Sequence, residues 1–318
     1  MNMRKVFCVL SSKSLPYAEK GMASLFKNAL EPLEITLITD VLEDKQAIIE
    51  ALSSIPNPAN HSWQVFDKRD ADERAEEQFR SFEDLKAFRH GHPCWRKLTD
   101  PFLFSRHGEE VIILDPDLYF PNPFTFEPTP DQQLLLMWQP PNCLFPPESV
   151  KTAIDASIQL ANHVDIGVAQ VTAAAVDWEW FNWLVGQLGG TSMPRIAHIE
   201  AIIWSAMAMR MGGGHLNPQR WKCWHRSQWK RILLKGGVAG THILQKEDWS
   251  EMKCFHGGGT AKWWIIDAQP MGFLEGHNRL DRPSDSIPFV ELTPAEYRSE
   301  QRMKDLLRKF GYYALMNR

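Results

Sequence analysis

The chain has 318 residues, with 35 basic and 39 acidic side chains giving a formal charge of −4. That near balance removes the electrostatic case for a nucleic-acid partner, and 44% hydrophobic with 23% charged residues excludes a disordered or fibrous chain. At roughly 150 residues per domain the length allows about two domains or one large α/β unit, and no run approaches the ~20 apolar residues of a membrane-spanning helix.

Residues 6–12, Val-Phe-Cys-Val-Leu-Ser-Ser, form a short apolar run ending in small polar residues, the pattern of a buried strand. The apolar part of Met1 to Leu10 is too short for a secretory leader and is read as this first strand. Met22, Leu25, Phe26 and Leu30 repeat at i, i+3, i+4 and i+8, which predicts a helix from Tyr17. Glu34 to Thr39 reads as a second strand closing on Asp40, Leu42 to Leu52 as a second helix, and Trp63 to Phe66 as a third strand. Alternation of strand and helix implies βαβ crossovers and a mainly parallel central sheet flanked by helices. Residues 68–91 are densely charged and read as a solvated helical excursion.

Trp95 to Phe104 reads as helical and leads into Val111-Ile112-Ile113-Leu114, a central strand apolar on both faces, which stops at Asp115-Pro116-Asp117. Prolines 121, 123, 128 and 130 make the following chain extended, and this is the expected seam between a nucleotide-binding half, 1–120, and an acceptor-side half, 121–270. Leu134 to Trp138 reads as a strand, and Asp177 to Leu188 and Ile199 to Met211 as helices, the latter closed by glycines 212–214. A C-terminal extension, 271–318, ends in a helix from Pro294 to about Phe310, opened by the Thr293/Glu296 capping box. The five cysteines are scattered without a Cys-x-x-Cys pair, which points to reduced thiols in a cytoplasmic protein rather than to zinc ribbons or disulfides. Thirteen tryptophans exceed what a core needs and suit the stacking of flat faces such as sugars or bases.

Two segments carry chemistry. In extended backbone, Asp115 and Asp117 point to one side and can share a hard divalent ion beyond the carboxyl end of a buried strand, although a bare Asp-x-Asp also occurs as an ordinary solvated turn. Downstream, Phe255-His256-Gly257-Gly258-Gly259-Thr260-Ala261-Lys262-Trp263-Trp264 sets a histidine six residues ahead of a lysine. Neutral imidazole at His256 is a competent third ligand for Mn²⁺, while Gly257, Gly258 and Gly259 let backbone amides approach a diphosphate and Lys262 adds positive charge. The plain alternative is a flexible glycine turn with a surface histidine.

Together the two segments resemble the GT-A glycosyltransferases of the glycogenin and lipopolysaccharide galactosyltransferase type, whose strand ending in Asp-x-Asp is followed far downstream by His-x-x-Gly-x-x-Lys-x-Trp, met here at His256, Gly259, Lys262 and Trp264. The family's usual proline before the last tryptophan is Trp263. The segment Val6 to Ser12 with Tyr17 is similar to the family's first strand and nucleotide-contacting loop, and Leu37-Ile38-Thr39-Asp40 resembles its second strand end. Lys97-Leu98 with Pro101 matches the stretch ahead of the Asp-x-Asp strand, and His163 to Val168 is similar to the family's Asn-x-Gly-Val, with Asp165 in place of Asn. One part departs: where the family often has an Asp-Gln pair, the candidate here is Glu200 in His198-Ile199-Glu200-Ala201-Ile202.

The resemblance covers roughly residues 5–265 and implies a GT-A (nucleotide-diphospho-sugar transferase) fold and a metal-dependent hexosyltransferase that retains anomeric configuration, using Mn²⁺ or Mg²⁺ and a nucleotide-diphosphate sugar, most simply a UDP-sugar. It implies Asp115, Asp117 and His256 as metal ligands. Ser11, Ser12, Tyr17, Asp40, Lys97, glycines 257–259 and Lys262 would contact the donor nucleotide. Asp165, Glu200 and Lys97 are the catalytic candidates, Asp165 binding sugar hydroxyls and Glu200 steadying an oxocarbenium-like carbon. A solvent-facing helical acid is the alternative for Glu200. The expected acceptor is a carbohydrate or a lipid-linked sugar, reached if the basic last helix touches an anionic membrane; a solvated helix face is its simpler reading. Two other functions stay open: an inactive nucleotide-sugar-binding protein of the same fold, and a metallophosphoesterase.

Overall fold

The structure is a computed structural model that describes residues 3–312. Met1, Asn2 and residues 313–318, which fall in the expected first-strand segment and C-terminal extension, lie outside the described residues. The first half alternates as its apolar pattern predicts: β1 (Arg4–Val9), α1 (Leu15–Asn28), β2 (Leu33–Ile38), α2 (Asp44–Ser54) and β3 (Ser62–Phe66). Helices α3 (Lys68–Gln78), α4 (Glu83–Arg89) and α5 (Asp100–Leu103) follow, with a 3₁₀ segment at Pro93–Leu98 before α5. Then come β4 (Glu110–Leu114), β5 (Leu118–Tyr119), β6 (Leu134–Trp138), α6 (Pro147–Asp155), β7 (Val164–Thr172), α7 (Trp178–Gln187) and α8 (Ile199–Met211). The last part holds β8 (Gly213–His215), β9 (Trp221–Cys223), α9 (Gln228–Lys235), α10 (Gly240–Leu244), β10 (Cys254–His256), α11 (Ala261–Ala268), β11 (Ile287–Pro288) and α12 (Pro294–Lys309).

One sheet runs through the molecule in the order β3-β2-β1-β4-β7-β6-β9-β10-β5, with β8 also on β6 and β11 on β8. The four strands β3, β2, β1 and β4 are parallel, with Cys8 opposite both Leu37 and Leu114. Beyond them the sheet is mixed rather than parallel throughout. Strand β7 runs antiparallel between β4 and β6, and β5 closes the far edge antiparallel to β10. The Asp115-Pro116-Asp117 turn is too short for a crossover, so β5 leaves β4 and finds its partner across the sheet. This triplet is a turn and not the extended backbone expected from sequence.

Apolar packing fills both faces. Val111 and Ile113 of β4 enter one core and Ile112 and Leu114 the other, which is why that strand has no polar alternation. Helix α1 lies so close over β5 that a Cβ at Gly21 would sit 2.5 Å from the Leu118 carbonyl oxygen; no larger residue permits that crossing. The charged stretch 68–91 is helical as expected but is not only a solvated excursion. Phe79, Leu85 and Phe88 are buried, and Arg89 is fully buried with its Nε 2.7 Å from Asp100 and Nη1 2.6 Å from Asp72. Its charge is neutralised within the fold, so a charge run conceals a core contact.

Near the carboxyl end, Glu127 is a second buried junction. Its Oε1 accepts from Trp221 Nε1 at 2.8 Å, Lys253 Nζ at 2.8 Å and the Ser284 hydroxyl at 2.7 Å; its Oε2 accepts from the Ser284 amide at 2.8 Å. This joins β9, the approach to β10 and the segment before β11. Helix α12 carries the anticipated capping box, Thr293 accepting from the Glu296 amide and Glu296 from Thr293, with Tyr297 buried beneath it and Met303, Leu306 and Phe310 exposed. Among the described residues no helix is long and apolar enough to cross a membrane, and all five cysteines are free.

Candidate active site

Strand pairing brings distant residues to one place. Asp115 continues β4 beside β7, its amide donating to the Gly167 carbonyl at 2.9 Å. Three residues on, β5 pairs with β10, His256 stands opposite Leu118, and the Gly257 amide donates to the Asp117 carbonyl at 2.9 Å. As a result His256 Nε2 lies 3.3 Å from Asp117 Oδ1 and 3.7 Å from Asp115 Oδ2, and one ligand atom from each residue falls within 4.8 Å of the others. The other imidazole nitrogen, Nδ1, lies 2.7 Å from Asp165 Oδ1. The Gly167 amide also donates to Asp165 Oδ1, at 3.0 Å.

Gly167 is needed for this arrangement: a Cβ there would meet the His256 ring at 2.7 Å. Gly257 serves the same purpose on the opposite side, where a Cβ would press on Ile265 at 2.7 Å and on the Asp117 carbonyl at 3.2 Å. Gly257, one of the glycines expected to admit phosphate, therefore also lets the segment after β10 lie against the Asp-Pro-Asp turn.

Two lysines flank the carboxylates. Lys97 is buried between Asp115 Oδ1 at 2.5 Å and Glu200 Oε1 at 3.3 Å. Lys262 reaches Asp117 Oδ2 at 3.1 Å, with its ammonium 4.7 Å from the centre of the Tyr17 ring, and Trp263 packs edge-on against the same ring at 5.3 Å. Glu200 is buried on α8, which removes the solvent-facing alternative; its Oε2 is buried with no hydrogen-bond partner. Ser11, Ser12 and Asp40 sit at the carboxyl ends of β1 and β2, partly buried, the Ser12 amide donating to Asp44 at 2.6 Å. Among the described residues no hydrogen bond joins those three to the carboxylate–imidazole cluster.

The electrostatics follow from burial and pairing. Burial disfavours the charge on His256, yet Asp165 and Asp117 outweigh it and hold the imidazole well above its ordinary value. Burial would raise Asp117 and Asp165 as well, but His256 keeps both carboxyls below their usual range, with Lys262 adding to the effect on Asp117. Because Asp165 stays ionised, Nδ1–H is the donor in its contact with His256, and Nε2 is the nitrogen turned toward Asp115 and Asp117. Asp115 is pushed up by burial, then by Asp117, against the pull of Lys97. Burial likewise outweighs Lys97 at Glu200 and pushes that carboxyl up to about 8.

A cavity of about 260 Å³ opens onto this cluster between Glu200, Asp165, His256 and Gly258, with Cys223 and Trp224 also lining it. Cys223 is the residue that sequence reasoning passed over. Its thiol donates to Asp165 Oδ2 at 3.0 Å and lies 3.8 Å from His256 Nδ1, because β9 runs parallel to β10 with Cys223 beside His256. No local spacing signals this. A second cavity of about 250 Å³ shares Cys223 and Trp224 and is walled by Trp138, His225, Lys230 and Phe255. Of the thirteen tryptophans, Trp178 packs against Phe79 and Phe102, while Trp183 and Trp229 are exposed.

No protein family matches the sequence, and no curated protein matches it either. Solved structures do. The chain superposes on mouse xyloside xylosyltransferase 1 in its apo form with a TM-score of 0.53 and 11% identity, over 82% of this chain and 99% of that one. It superposes on the galactosyltransferase LgtC in complex with donor and acceptor sugar analogs with a TM-score of 0.52 and 12% identity, over 85% of this chain and 92% of that one. At such identities the likeness establishes architecture: the chain has the mixed α/β fold of GT-A glycosyltransferase structures.

Proposed function

We propose that this chain is a glycosyltransferase that moves a sugar from a nucleotide-diphosphate donor, a UDP-sugar, to a carbohydrate or lipid-linked acceptor with retention of configuration. The observation that carries this reading is the convergence of Asp115, Asp117 and His256 between two lysines, with His256 lining the adjoining cavity. Two carboxylates and an imidazole suit a Mn²⁺ or Mg²⁺ ion, and Asp165 behind the imidazole is the outer-sphere partner that such a ligand characteristically has. When bound, the ion would supply Lewis-acid stabilisation of the negative charge on the departing diphosphate.

The chain's own residues have distinct tasks. Lys262 and the amides of Gly258 and Gly259 bind the diphosphate and add fixed positive potential as it departs, the Gly257 amide being held by the Asp117 carbonyl. Tyr17, with Ser11, Ser12 and Asp40 at the strand ends, receives the nucleoside, since ligands of open α/β sheets bind beyond the carboxyl ends of strands. Lys97 holds Asp115 and Glu200 in place and faces the donor side. Asp165 fixes the tautomer of His256 and offers its second oxygen toward the sugar. Glu200, with an unpartnered oxygen in the cavity wall, contacts the sugar near its reacting carbon. The cavity edged by Trp138 and Trp224 receives the acceptor, where rings stack on sugar faces. Residues 1–270 form the transferase unit, and α12 in the 271–318 extension gives peripheral contact with an anionic membrane. Free thiols agree with a cytoplasmic location.

Calorimetry with Mn²⁺ and UDP, followed by a donor-hydrolysis assay, tests the reading. Asp117→Ala and His256→Ala should each abolish Mn²⁺-dependent UDP binding while the thermal transition persists. Wild-type affinity in either variant overturns the metal assignment, and binding without any release of UDP from a sugar donor overturns the transfer assignment.

A further inference from the structure

His256 presents a different nitrogen to each of two donor clusters. Nε2 faces the hard carboxylates Asp115 and Asp117; Nδ1 faces Asp165 and the thiol of Cys223, with one ligand atom from each of these three also within 4.8 Å of the others. Nδ1 lies 2.7 Å from Asp165 Oδ1, and Sγ lies 3.0 Å from the other oxygen, Oδ2, and 3.8 Å from Nδ1. A tetrahedral zinc ion with Zn–S of about 2.3 Å and Zn–N or Zn–O of about 2.0 Å has ligand–ligand edges of about 3.3–3.5 Å. These separations reach those values if one Asp165 oxygen draws back by about half an ångström and Sγ closes on Nδ1 by about 0.3 Å. Gln139 Oε1, 3.5 Å from Sγ, lies on the same cavity wall and can supply or orient the fourth ligand.

We propose that Asp165, Cys223 and His256 Nδ1 form a zinc site separate from the Asp115–Asp117 pair, with its remaining position open to the cavity. A thiolate is what separates the two clusters: sulfur selects zinc and its soft relatives, whereas carboxylates with one imidazole suit manganese or magnesium. Binding forms three metal–ligand bonds and releases two protons to solvent, one from the Cys223 thiol and one from Nδ1. The site draws on the geometry of β9, β10 and β7 alone; zinc on Nδ1 leaves the proton on Nε2, so it and a metal on Asp115, Asp117 and Nε2 are alternative occupants of one imidazole.

Cobalt(II) reports on it, since a thiolate–cobalt bond gives a near-ultraviolet charge-transfer band that oxygen and nitrogen ligands do not. Anaerobic titration of the metal-free full chain should develop this band, saturate at one equivalent and bleach when Zn²⁺ is added. Cys223→Ser should lose the band, and Asp165→Asn should weaken cobalt by about tenfold or more. Cys143→Ser, which removes another thiol of the same cavity, and Asp117→Asn, which changes the Nε2 side of the imidazole and none of the three zinc ligands, should both keep it. Absence of the band in the wild-type chain, its survival in Cys223→Ser, or its loss in Asp117→Asn overturns the proposal. None of these readouts involves sugar transfer, so failure here and failure of the transferase reading are distinguishable.

Discussion

His256 Nε2 stands 3.3 Å from Asp117 Oδ1 because β10 and β5 pair antiparallel, tied at that point by the Gly257 amide on the Asp117 carbonyl. A residue late in the chain is thus registered to a turn in its first half by sheet hydrogen bonds rather than by side chains alone.

That rigidity makes the support of the imidazole testable. Asp165→Asn keeps the size of the side chain but weakens its hold on Nδ1–H, and should lower Mn²⁺ affinity by about 10–100-fold. Gly167→Ala should do the same by a different route, driving a methyl into the ring at 2.7 Å, with about 1–3 kcal/mol of lost stability. Calorimetric metal titration and urea unfolding of the two variants check both effects; unchanged affinity in Gly167→Ala would show that the imidazole position is not critical.

Lys262 joins the hard cluster to the Tyr17 ring. Lys262→Ala should weaken UDP binding by about tenfold, the scale of one charge-assisted contact of 1.5 kcal/mol or so, and leave uridine nearly unaffected. An equal loss for both ligands would place the lysine at the nucleoside instead of the diphosphate.

Glu200 sets a pH dependence of stability. Its carboxyl titrates at about 8 in the folded chain and near 4.5 when unfolded, so between those values the folded state binds the extra proton. Stability is complete below about pH 4.5 and is lost as pH rises through 8. Glu200→Gln removes this loss: in chelator, its stability relative to wild type should grow from pH 5 to pH 8.5, by on the order of 4 kcal/mol at most. A difference independent of pH would mean that Glu200 is ionised within the fold.

Lys253 and Glu127 form a buried pair 2.8 Å apart. Lys253→Met should cost about 3–5 kcal/mol in urea unfolding, because the carboxylate keeps its burial and loses its charge partner. A cost below about 1 kcal/mol would show that the Trp221 and Ser284 donors suffice.

Sequence made the strands and helices of the first half readable because their apolar residues repeat with the period of the element, and Thr293 with Glu296 marked the start of α12 by local chemistry alone. Asp115, Asp117 and His256 were legible as side chains of suitable type at strand ends. What was hidden depends on tertiary pairing. Cys223 reaches His256 only through the β9–β10 register, Gly167 matters only because the imidazole packs on it, and Arg89 looked like one charge among many until Asp72 and Asp100 enclosed it.

The Glu127 junction also governs where the polypeptide can be cut. Two of the four donors to that carboxylate, the amide and hydroxyl of Ser284, come from beyond α11, and Lys253 donates in addition to the Arg282 carbonyl at 3.0 Å. A deletion beginning ahead of Arg282 would leave an interior anion half solvated, so the tail works as a stopper for the sheet's far end. A tail grafted in its place would have to bring an equivalent hydroxyl and amide to the same spot.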